Sequence, residues 1–334
     1  MVCDKGKGIA VKAGIIVNAS AGKFGYIKKV ISRLKEVFEE IVTGSGRFGG
    51  DFLEDVETID VAFNDFKNAI GSLTVELSKR SDVIVSVGGD GTANLVAATI
   101  IDEGLDIPLM GIAGGTANVG PLIRFSFETV EKPSHVEFID CLKVWKDEEH
   151  VGYAFVDAVF GDTFLGTLNG GMVNLSVEDF LKSGKKVPKK PRDDVVKKLE
   201  VLKNGKEVPL RSRRVAQVVA SPLNSSTFYI GKAATGILSW ASFLESRGIL
   251  VLSSRVIVDS HVSESDLNEP VLVEQILFGE ETIEIKGFDR SVYLVLDGNP
   301  VCECDRPIKL EGLRNCVKVV TKGQSCDWPV GWKT

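Results

Sequence analysis

Residues 82–92 read Asp-Val-Ile-Val-Ser-Val-Gly-Gly-Asp-Gly-Thr. The β-branched run that ends at Val87 is interrupted only by Ser86, so it predicts a short buried strand of a parallel sheet. Gly88 to Thr92 then form the loop at the carboxyl end of that strand, where open α/β sheets bind their ligands. Glycines let a phosphate approach the backbone closely, and Asp90 places a carboxylate at the same edge. Taken alone, this loop also fits an ordinary tight turn.

A second loop of the same kind follows the next predicted strand, Pro108 to Ile112. It reads Gly114-Gly115-Thr116-Ala117-Asn118 and again combines glycines with a hydroxyl and an amide. Because parallel strands end at the same edge of a sheet, the two loops are expected to converge. Backbone amides at such an edge suit phosphate groups. The pair therefore predicts a phosphate-binding site rather than two unrelated turns.

The flanking sequence alternates strands and helices. Ala13 to Asn18 is a short apolar run that ends in a small-residue turn. Apolar residues recur every three or four positions from Tyr26 to Val42, which predicts an amphipathic helix. Further helices are expected over Phe63 to Lys79 and over Ala93 to Glu103. The fold class predicted for this part is an α/β domain with a doubly wound, mostly parallel sheet.

After about Arg124 the pattern changes to short strand-like runs, with helical patterns near Val177 to Lys182 and Lys232 to Phe243. The predicted strands are Val136 to Trp145, Tyr153 to Phe160, Leu199 to Leu202, Ala216 to Ala220, Val251 to Val258, Thr282 to Lys286 and Val292 to Leu296. They predict a second, β-rich domain of antiparallel, sandwich-like structure.

Two features of this second part have alternative interpretations. Lys182 to Arg192 is a basic segment broken by prolines. We interpret it as a solvated loop, the alternative being a contact with a phosphate or a lipid headgroup. Asp157 and Asp162 are interpreted as turn or capping carboxylates, the alternative being a role in binding the acceptor.

The composition excludes several classes of protein. A chain of 334 residues exceeds the usual size of one core, so two domains are expected. The net charge of −6 argues against long-range attraction to nucleic acid or anionic lipid, so any such contact must be local. Residues 1–11 lack the apolar region of a signal peptide, and no stretch approaches the ~18 apolar residues of a membrane helix. The six scattered cysteines are expected to be reduced. We therefore expect a cytoplasmic protein with no stable membrane insertion.

The sequence resembles the superfamily that unites NAD kinases with diacylglycerol, sphingosine and related lipid kinases. Asn18-Ala19-Ser20-Ala21-Gly22 is similar to its first loop, and Gly88 to Thr92 to its Gly-Gly-Asp-Gly-Thr motif. Gly114 to Asn118 is similar to its Gly-Gly-Thr-x-Asn loop. A fourth motif, Leu296-Asp297-Gly298-Asn299, lies where the lipid kinases have Asp-Gly-Glu.

The resemblance implies an organisation in two domains. A nucleotide-binding α/β domain would cover residues 1–125 and include the returning tail, 312–334. A β-rich acceptor-binding domain would cover residues 126–311.

The resemblance also implies an ATP-dependent phosphotransferase that uses Mg²⁺ and transfers the γ-phosphoryl group to a hydroxyl. Asp90 would organise the metal or act as general base, alone or with Asp297 as a second catalytic residue. The cofactor-binding residues implied by carry-over are Asn18, Ser20, Gly22, Gly88, Gly89, Gly91, Thr92, Gly114, Gly115, Thr116 and Asn118. Polyphosphate would engage the same backbone amides as ATP, so the sequence leaves the donor open.

One position departs from the lipid-kinase pattern. Asn299 stands where those enzymes have the glutamate proposed as general base, and an amide cannot accept a proton at neutral pH. NAD kinases rely on the aspartate of the glycine loop instead, so NAD is the first acceptor that we predict. A diacylglycerol-like lipid or another polyol is the second, because the Gly-Thr-Ala-Asn loop is closer to the lipid kinases. A nucleotide-binding regulator of the same fold, without turnover, is the third alternative.

A more distant resemblance bears on the acceptor. Phe155 to Val159, Gly161 to Gly166 and Ala234 to Ser239 are similar to the predicted ATP-NAD kinases of the AcoX type. The partner expected is therefore a small-molecule acceptor and no nucleic acid, and the resemblance to NAD kinases implies a homo-oligomer.

Overall fold

The computed structural model describes the greater part of the chain. The described residues are 11–18, 24–61, 65–114, 118, 120–193, 199–212, 215–223, 246–260, 268, 270–288 and 291–322.

Five parallel strands form the centre of the larger sheet, and three helices pack against its faces. The strands are β1 (Lys12–Val17), β2 (Glu40–Gly44), β3 (Glu57–Ile59), β4 (Val83–Gly88) and β5 (Leu109–Ala113). The helices are α1 (Phe24–Val37), α2 (Phe66–Ser78) and α3 (Asp90–Asp102). The spatial order of the strands is β5-β4-β1-β2-β3, so the chain winds outward in both directions from the pair β1 and β4.

Alternating side chains explain why helices cover both faces of this sheet. Ile16 and Ile84 point to one face and share a buried core with α2 and α3, which contribute residues such as Leu73. Ile15 and Val85 point to the other face and pack with α1. The doubly wound fold predicted from the sequence is confirmed.

The helix predicted from Tyr26 to Val42 is too long. α1 ends at Val37, and the following residues form β2, which pairs in parallel with β1. Ile41 continues the apolar period of the helix, but it begins a β-branched run, Ile41-Val42-Thr43, that packs better on a pleated sheet.

The glycine motif is a strand-to-helix turn rather than a separate loop. Asp90, Gly91 and Thr92 form the first turn of α3, which therefore starts three residues before the predicted Ala93, and Gly89 is the N-cap residue. The backbone N–H groups of this turn, and the positive end of the helix dipole, thus lie at the carboxyl edge of the sheet.

The larger sheet continues beyond its parallel centre. It adds β6 (Ile123–Phe125), β7 (His135–Lys146), β8 (Glu149–Ala154), β12 (Glu200–Lys203), β13 (Lys206–Glu207), β17 (Ile283–Lys286) and β20 (Ile308–Thr321). β6 pairs in parallel with β5, whereas β7 pairs antiparallel with both β8 and β20. β20 also meets β5 in parallel, where Val319 lies opposite Leu109. The last described strand of the chain therefore returns to the parallel centre.

A second sheet is entirely antiparallel. Its strands are β9 (Ala158–Gly161), β14 (Gln217–Pro222), β15 (Gly248–Ser253), β16 (Val273–Phe278), β18 (Tyr293–Leu296) and β19 (Asn299–Glu303). Their order is β16-β15-β14-β9-β18-β19. The hairpin of β10 (Thr163–Leu168) and β11 (Gly171–Ser176) stands apart from both sheets and leads into α4 (Val177–Ser183). The predicted β-rich antiparallel structure of this part is confirmed.

One predicted strand of this part is wrong in a way that matters for the site. Tyr153 to Phe160 is not one strand, because β8 ends at Ala154 in the larger sheet and β9 begins at Ala158 in the second. The three residues between them cross from one sheet to the other. The helix predicted over Lys232 to Phe243 lies outside the described residues. Within the described residues, no helix is both long enough and apolar enough to span a membrane.

Candidate active site

Three segments meet at the carboxyl edge of the parallel strands. The backbone N–H of Asn18, which follows β1, donates to the carbonyl of Val87 at 2.9 Å. The Asn18 side-chain amide donates to Thr92 Oγ1 at 2.8 Å. The N–H of Gly114, which follows β5, donates to the carbonyl of Gly88 at 2.7 Å. The convergence expected from the sequence therefore occurs among the described residues of the three motifs.

The glycines of these motifs leave no room for a side chain. A Cβ on Gly88 would lie 3.0 Å from Thr92 Oγ1, and one on Gly114 would lie 3.0 Å from the Gly88 nitrogen. A Cβ on Gly91 would lie 2.7 Å from Asn299 Oδ1. Close packing of the motifs on one another thus requires glycine before any ligand is considered.

The structure describes only some of the remaining residues that the sequence predicts as phosphate contacts. Ser20, Gly22, Gly115 and Thr116 lie outside the described residues. Asn118 is described and half-buried.

Asp90 is held in place at the start of α3. Its side chain is 8% exposed, and Oδ1 accepts a hydrogen bond from the N–H of Gly120 at 3.2 Å. Gly120 packs closely between the side chains of Asp90 and Val156. A Cβ at this position would lie 2.9 Å from Asp90 Oδ1 and 2.3 Å from Val156 Cγ2. The glycine therefore fixes the distance between the carboxylate and the segment that joins the two sheets.

Replacing Gly120 by alanine is expected to lower the free energy of unfolding by about 1–3 kcal/mol, because the added methyl overpacks a buried site. It is also expected to lower the phosphotransferase activity that the sequence predicts, because Asp90 must move. Urea denaturation and a phosphoryl-transfer assay measure the two effects. Gly25→Ala is the matched control, since Gly25 is exposed in α1 and a Cβ there would meet nothing within 4 Å. An unchanged Gly120→Ala protein would contradict the packing.

The carboxylate of Asp297 accepts four hydrogen bonds and holds the residues that cross between the two sheets. Oδ1 accepts from the N–H groups of Val156 and Asp157 at 2.9 and 3.0 Å. Oδ2 accepts from the Phe155 N–H at 2.9 Å and from the Asn94 amide at 2.7 Å. Asn94 lies on α3, so this carboxylate fastens the crossing residues to the helix that carries Asp90. Burial raises the pKa of Asp297, although these hydrogen bonds oppose the shift.

Asp157 is the functional candidate that the sequence interpretation treated mainly as a turn carboxylate. Asp157 is half-buried and lines the cleft beside the glycine motif. Its carboxylate accepts no hydrogen bond from the described part of the chain. Burial and the carboxylates of Asp297 and Asp90 raise its pKa to about 8. Asp162, by contrast, is a buried anchor, since its carboxylate pairs with Lys189 at 3.0 Å and accepts from the Arg192 N–H.

Asn299 contacts the glycine motif directly. Its amide donates to the carbonyl of Gly91 at 3.0 Å. The residue that replaces the lipid-kinase glutamate thus lies at the first turn of α3, where it positions the backbone and offers no proton acceptor of suitable basicity.

The cleft beside these residues has a volume of about 580 Å³. Its polar part contains Asn18, Asp90, Thr92, Asp157 and Asn299. The rest of its wall is largely apolar and comprises Phe66, Leu95, Val156, Val159, Phe164, Leu165, Met172, Phe180, Val258, Val295 and Pro300, beside a few polar residues. The backbone at the start of α3 and the carboxylates of Asp90 and Asp157 thus line the same cleft as these apolar side chains, which we call the apolar chamber.

The cleft wall near Asp90 would suit a magnesium ion brought by a nucleotide. Mg²⁺ is usually bound by one or two carboxylates together with substrate phosphates and water. Asp90 is one such carboxylate, at the start of α3 beside the backbone N–H groups of its first turn. No cluster of three or more His, Cys, Asp or Glu side chains in the described ranges has metal-binding geometry. A site with few protein ligands agrees with this finding.

Comparison with known proteins gives a consistent result. Residues 12–122 match the diacylglycerol kinase catalytic domain. An uncharacterized protein of Archaeoglobus fulgidus is 29% identical over 299 residues, which cover 87% of this chain and 92% of that protein. A proposed diacylglycerol kinase of Bacillus anthracis str. Sterne superimposes with a TM-score of 0.58 at 14% identity, over 95% of this chain and 99% of that one. Yeast NADH kinase complexed with NADH gives a TM-score of 0.50 at 12% identity, over 98% and 90% of the two chains.

The fold is thus shared with a proposed diacylglycerol kinase and with NADH kinase. The resemblance that the motifs indicate is supported by the match of residues 12–122 to the diacylglycerol kinase catalytic domain.

Proposed function

We propose that this protein transfers the γ-phosphoryl group of ATP to the hydroxyl of an amphiphilic, diacylglycerol-like lipid. The observation that supports the proposal most is the composition of the cleft, which the carboxylates of Asp90 and Asp157 line together with the side chains of the apolar chamber. We further propose that residues 1–125 with the tail 312–334 bind the nucleotide, and that residues 126–311 bind the acceptor.

The apolar chamber favours a lipid over NAD as acceptor. NAD would bring two charged phosphates, two riboses and an amide, all of which need polar partners when they leave water. Phe164, Val295 and Phe180 offer none, whereas they suit the acyl chains of a lipid. A hydroxyl at the polar end of such a lipid would lie beside the two carboxylates.

In this proposal the three aspartates have different roles. Asp157 accepts the proton of the acceptor hydroxyl, because its raised pKa gives it the basicity that general-base catalysis requires near neutral pH. Asp90 orients the cation and the phosphates at the start of α3. Asp297, predicted from the sequence as catalytic, is assigned a positioning role, because all its hydrogen bonds go to protein groups.

The donor would bind at the edge where Gly88 and Gly114 meet. The backbone N–H groups of the first turn of α3 suit its phosphates. A bound Mg²⁺ would neutralise charge that develops during transfer. Asn18 and Thr92, which are hydrogen-bonded to each other, would fix the adjoining wall.

NAD is the second candidate acceptor in this proposal, although the sequence predicts it as the first. One observation favours it. Asn299 binds the Gly91 carbonyl and supplies no base, which leaves an aspartate as the proton acceptor, as in the NAD kinases.

The deciding experiment measures Mg²⁺-dependent transfer of labelled γ-phosphate from ATP to dioctanoylglycerol in mixed micelles and, in parallel, to NAD. We expect label in the lipid alone. Label in NAD alone would overturn the lipid proposal and support the alternative, and absence of label in both acceptors would favour the regulator without turnover. Replacing ATP by polyphosphate in the same assay tests the donor.

A further inference from the structure

Three exposed apolar side chains lie on the β10–β11 hairpin and on the chain that follows it. Met172 on β11 is 44% exposed, Leu181 on α4 is 40% exposed, and Val187 in the following segment is 39% exposed. A cluster of solvent-exposed, large apolar side chains near the mouth of a cleft indicates a contact surface. We name the surface formed by residues 172–192 the hairpin face.

The basic segment that we interpreted from the sequence as a solvated loop is exposed, and it is also hydrogen-bonded to this hairpin. The Ser176 N–H donates to the Val187 carbonyl at 2.8 Å, and the Lys189 N–H donates to the Asn174 carbonyl at 3.0 Å. A bridge pairs Leu175 with Pro188. The segment therefore runs antiparallel beside β11 and presents its side chains from a defined position.

The charge of the hairpin face is opposite to that of the whole chain. Residues 172–192 contain six basic and two acidic side chains, whereas the chain carries a net charge of −6. Lys182 pairs with Glu178, and Lys189 pairs with the buried Asp162. Lys185 and Lys190 are exposed and form no ion pair within the described ranges.

The hairpin face borders the apolar chamber of the cleft. Thr167, Met172 and Lys186 all line the cleft, and the Lys186 ammonium donates to the Thr167 carbonyl at 3.1 Å. The hairpin face is therefore continuous with the wall of the cleft, which Phe164 also lines.

We infer that the hairpin face is a docking surface for an anionic lipid bilayer, from which the acceptor enters the cleft. The inference rests on the proposed lipid function and adds to it the surface and its partner. Exposed apolar side chains next to unpaired lysines match the interface between acyl chains and anionic headgroups. A soluble polyanion would use the lysines alone and leave Met172 and Leu181 without a role.

The test is cosedimentation of the full-length protein with vesicles of phosphatidylcholine that contain phosphatidylglycerol, with pure phosphatidylcholine vesicles as reference. We expect binding to the anionic vesicles that weakens as salt is added. Lys185→Ser and Lys190→Ser are each expected to weaken it about fivefold, since a lysine near such a surface contributes about 1 kcal/mol. Met172→Ser with Leu181→Ser is expected to weaken it as well.

Matched controls come from exposed residues elsewhere. Lys29→Ser in α1 and Lys206→Ser in β13 remove the same charge, and Leu272→Ser removes a side chain that is 65% exposed. These variants should bind vesicles like the natural sequence. Equal weakening by hairpin and control variants, binding to soluble heparin but not to vesicles, or no binding to anionic vesicles would each overturn the docking surface.

An activity measurement separates this inference from the proposed function. The lysine variants should phosphorylate monomeric dioctanoylglycerol at the natural rate and lose activity only on lipid in anionic vesicles. Vesicle binding that depends on Lys185 and Lys190, without phosphorylation of any lipid, would leave the docking surface supported and overturn the proposed acceptor. A lower rate on the monomeric acceptor would overturn a pure docking role.

Discussion

Replacing Asp90 by asparagine is expected to lower the rate of phosphoryl transfer by about 10²–10³-fold, because removing one preorganised group that stabilises developing charge typically has that effect. The fold should survive. The asparagine oxygen can still accept the hydrogen bond from Gly120, and the residue remains at the first turn of α3. What the variant lacks is a negative charge beside the phosphates.

The measurement is a titration of Mg²⁺ at saturating ATP and acceptor. If Asp90 helps to hold the cation, the variant should need more Mg²⁺ for half-maximal activity. Asp60→Asn is the matched control, because Asp60 is an exposed carboxylate and should be dispensable. An Asp90→Asn protein with full activity and an unchanged Mg²⁺ requirement would contradict the assignment.

The glycine motifs were predictable because their signal is local. A buried strand followed at once by Gly88 to Thr92 specifies a turn at the carboxyl edge whatever the rest of the chain does. The meeting of Gly114 with Gly88 could also be expected, because parallel strands that end together bring their loops together.

The network around Asp297 was not predictable from the sequence. Its carboxylate binds N–H groups some 140 residues earlier in the chain and an amide on α3. Asp297 is also in a left-handed conformation, with φ of 48°. No short-range pattern specifies such contacts, because they depend on how two sheets pack.

The same limit explains two of the errors in element assignment. Tyr153 to Phe160 has the composition of one continuous strand, and only the tertiary structure divides it between two sheets. The apolar residues of α1 and β2 together follow a pattern that fits one helix. The pairing of β2 with β1 makes residues 40–44 a strand instead. Asp157 was undervalued for this reason, because its environment exists only where the chain crosses from sheet to sheet.

Replacing Asp157 by asparagine is expected to lower kcat/KM by about 10²–10⁴-fold, the usual contribution of a general base. For the natural sequence, kcat/KM should rise with pH to a plateau, with a midpoint near the pKa of about 8. Asparagine has no proton to lose in this range, so the residual activity of the variant should lack that rise. Asp51→Asn, at an exposed carboxylate, should keep it.

The stability of the same variant separates catalysis from structure. Since the folded-state pKa of Asp157 lies above that of an unfolded aspartate, the folded protein binds more protons between about pH 4 and pH 8. The free energy of unfolding should therefore fall as pH rises through this window, by at most about 1.4 kcal/mol per pH unit. Asp157→Asn removes that loss, so urea denaturation above pH 8 should find the variant more stable than the natural sequence. A residue kept for structure would behave in the opposite way. A variant that is less stable at high pH, or one that retains the rise of kcat/KM near pH 8, would therefore assign the base to another group.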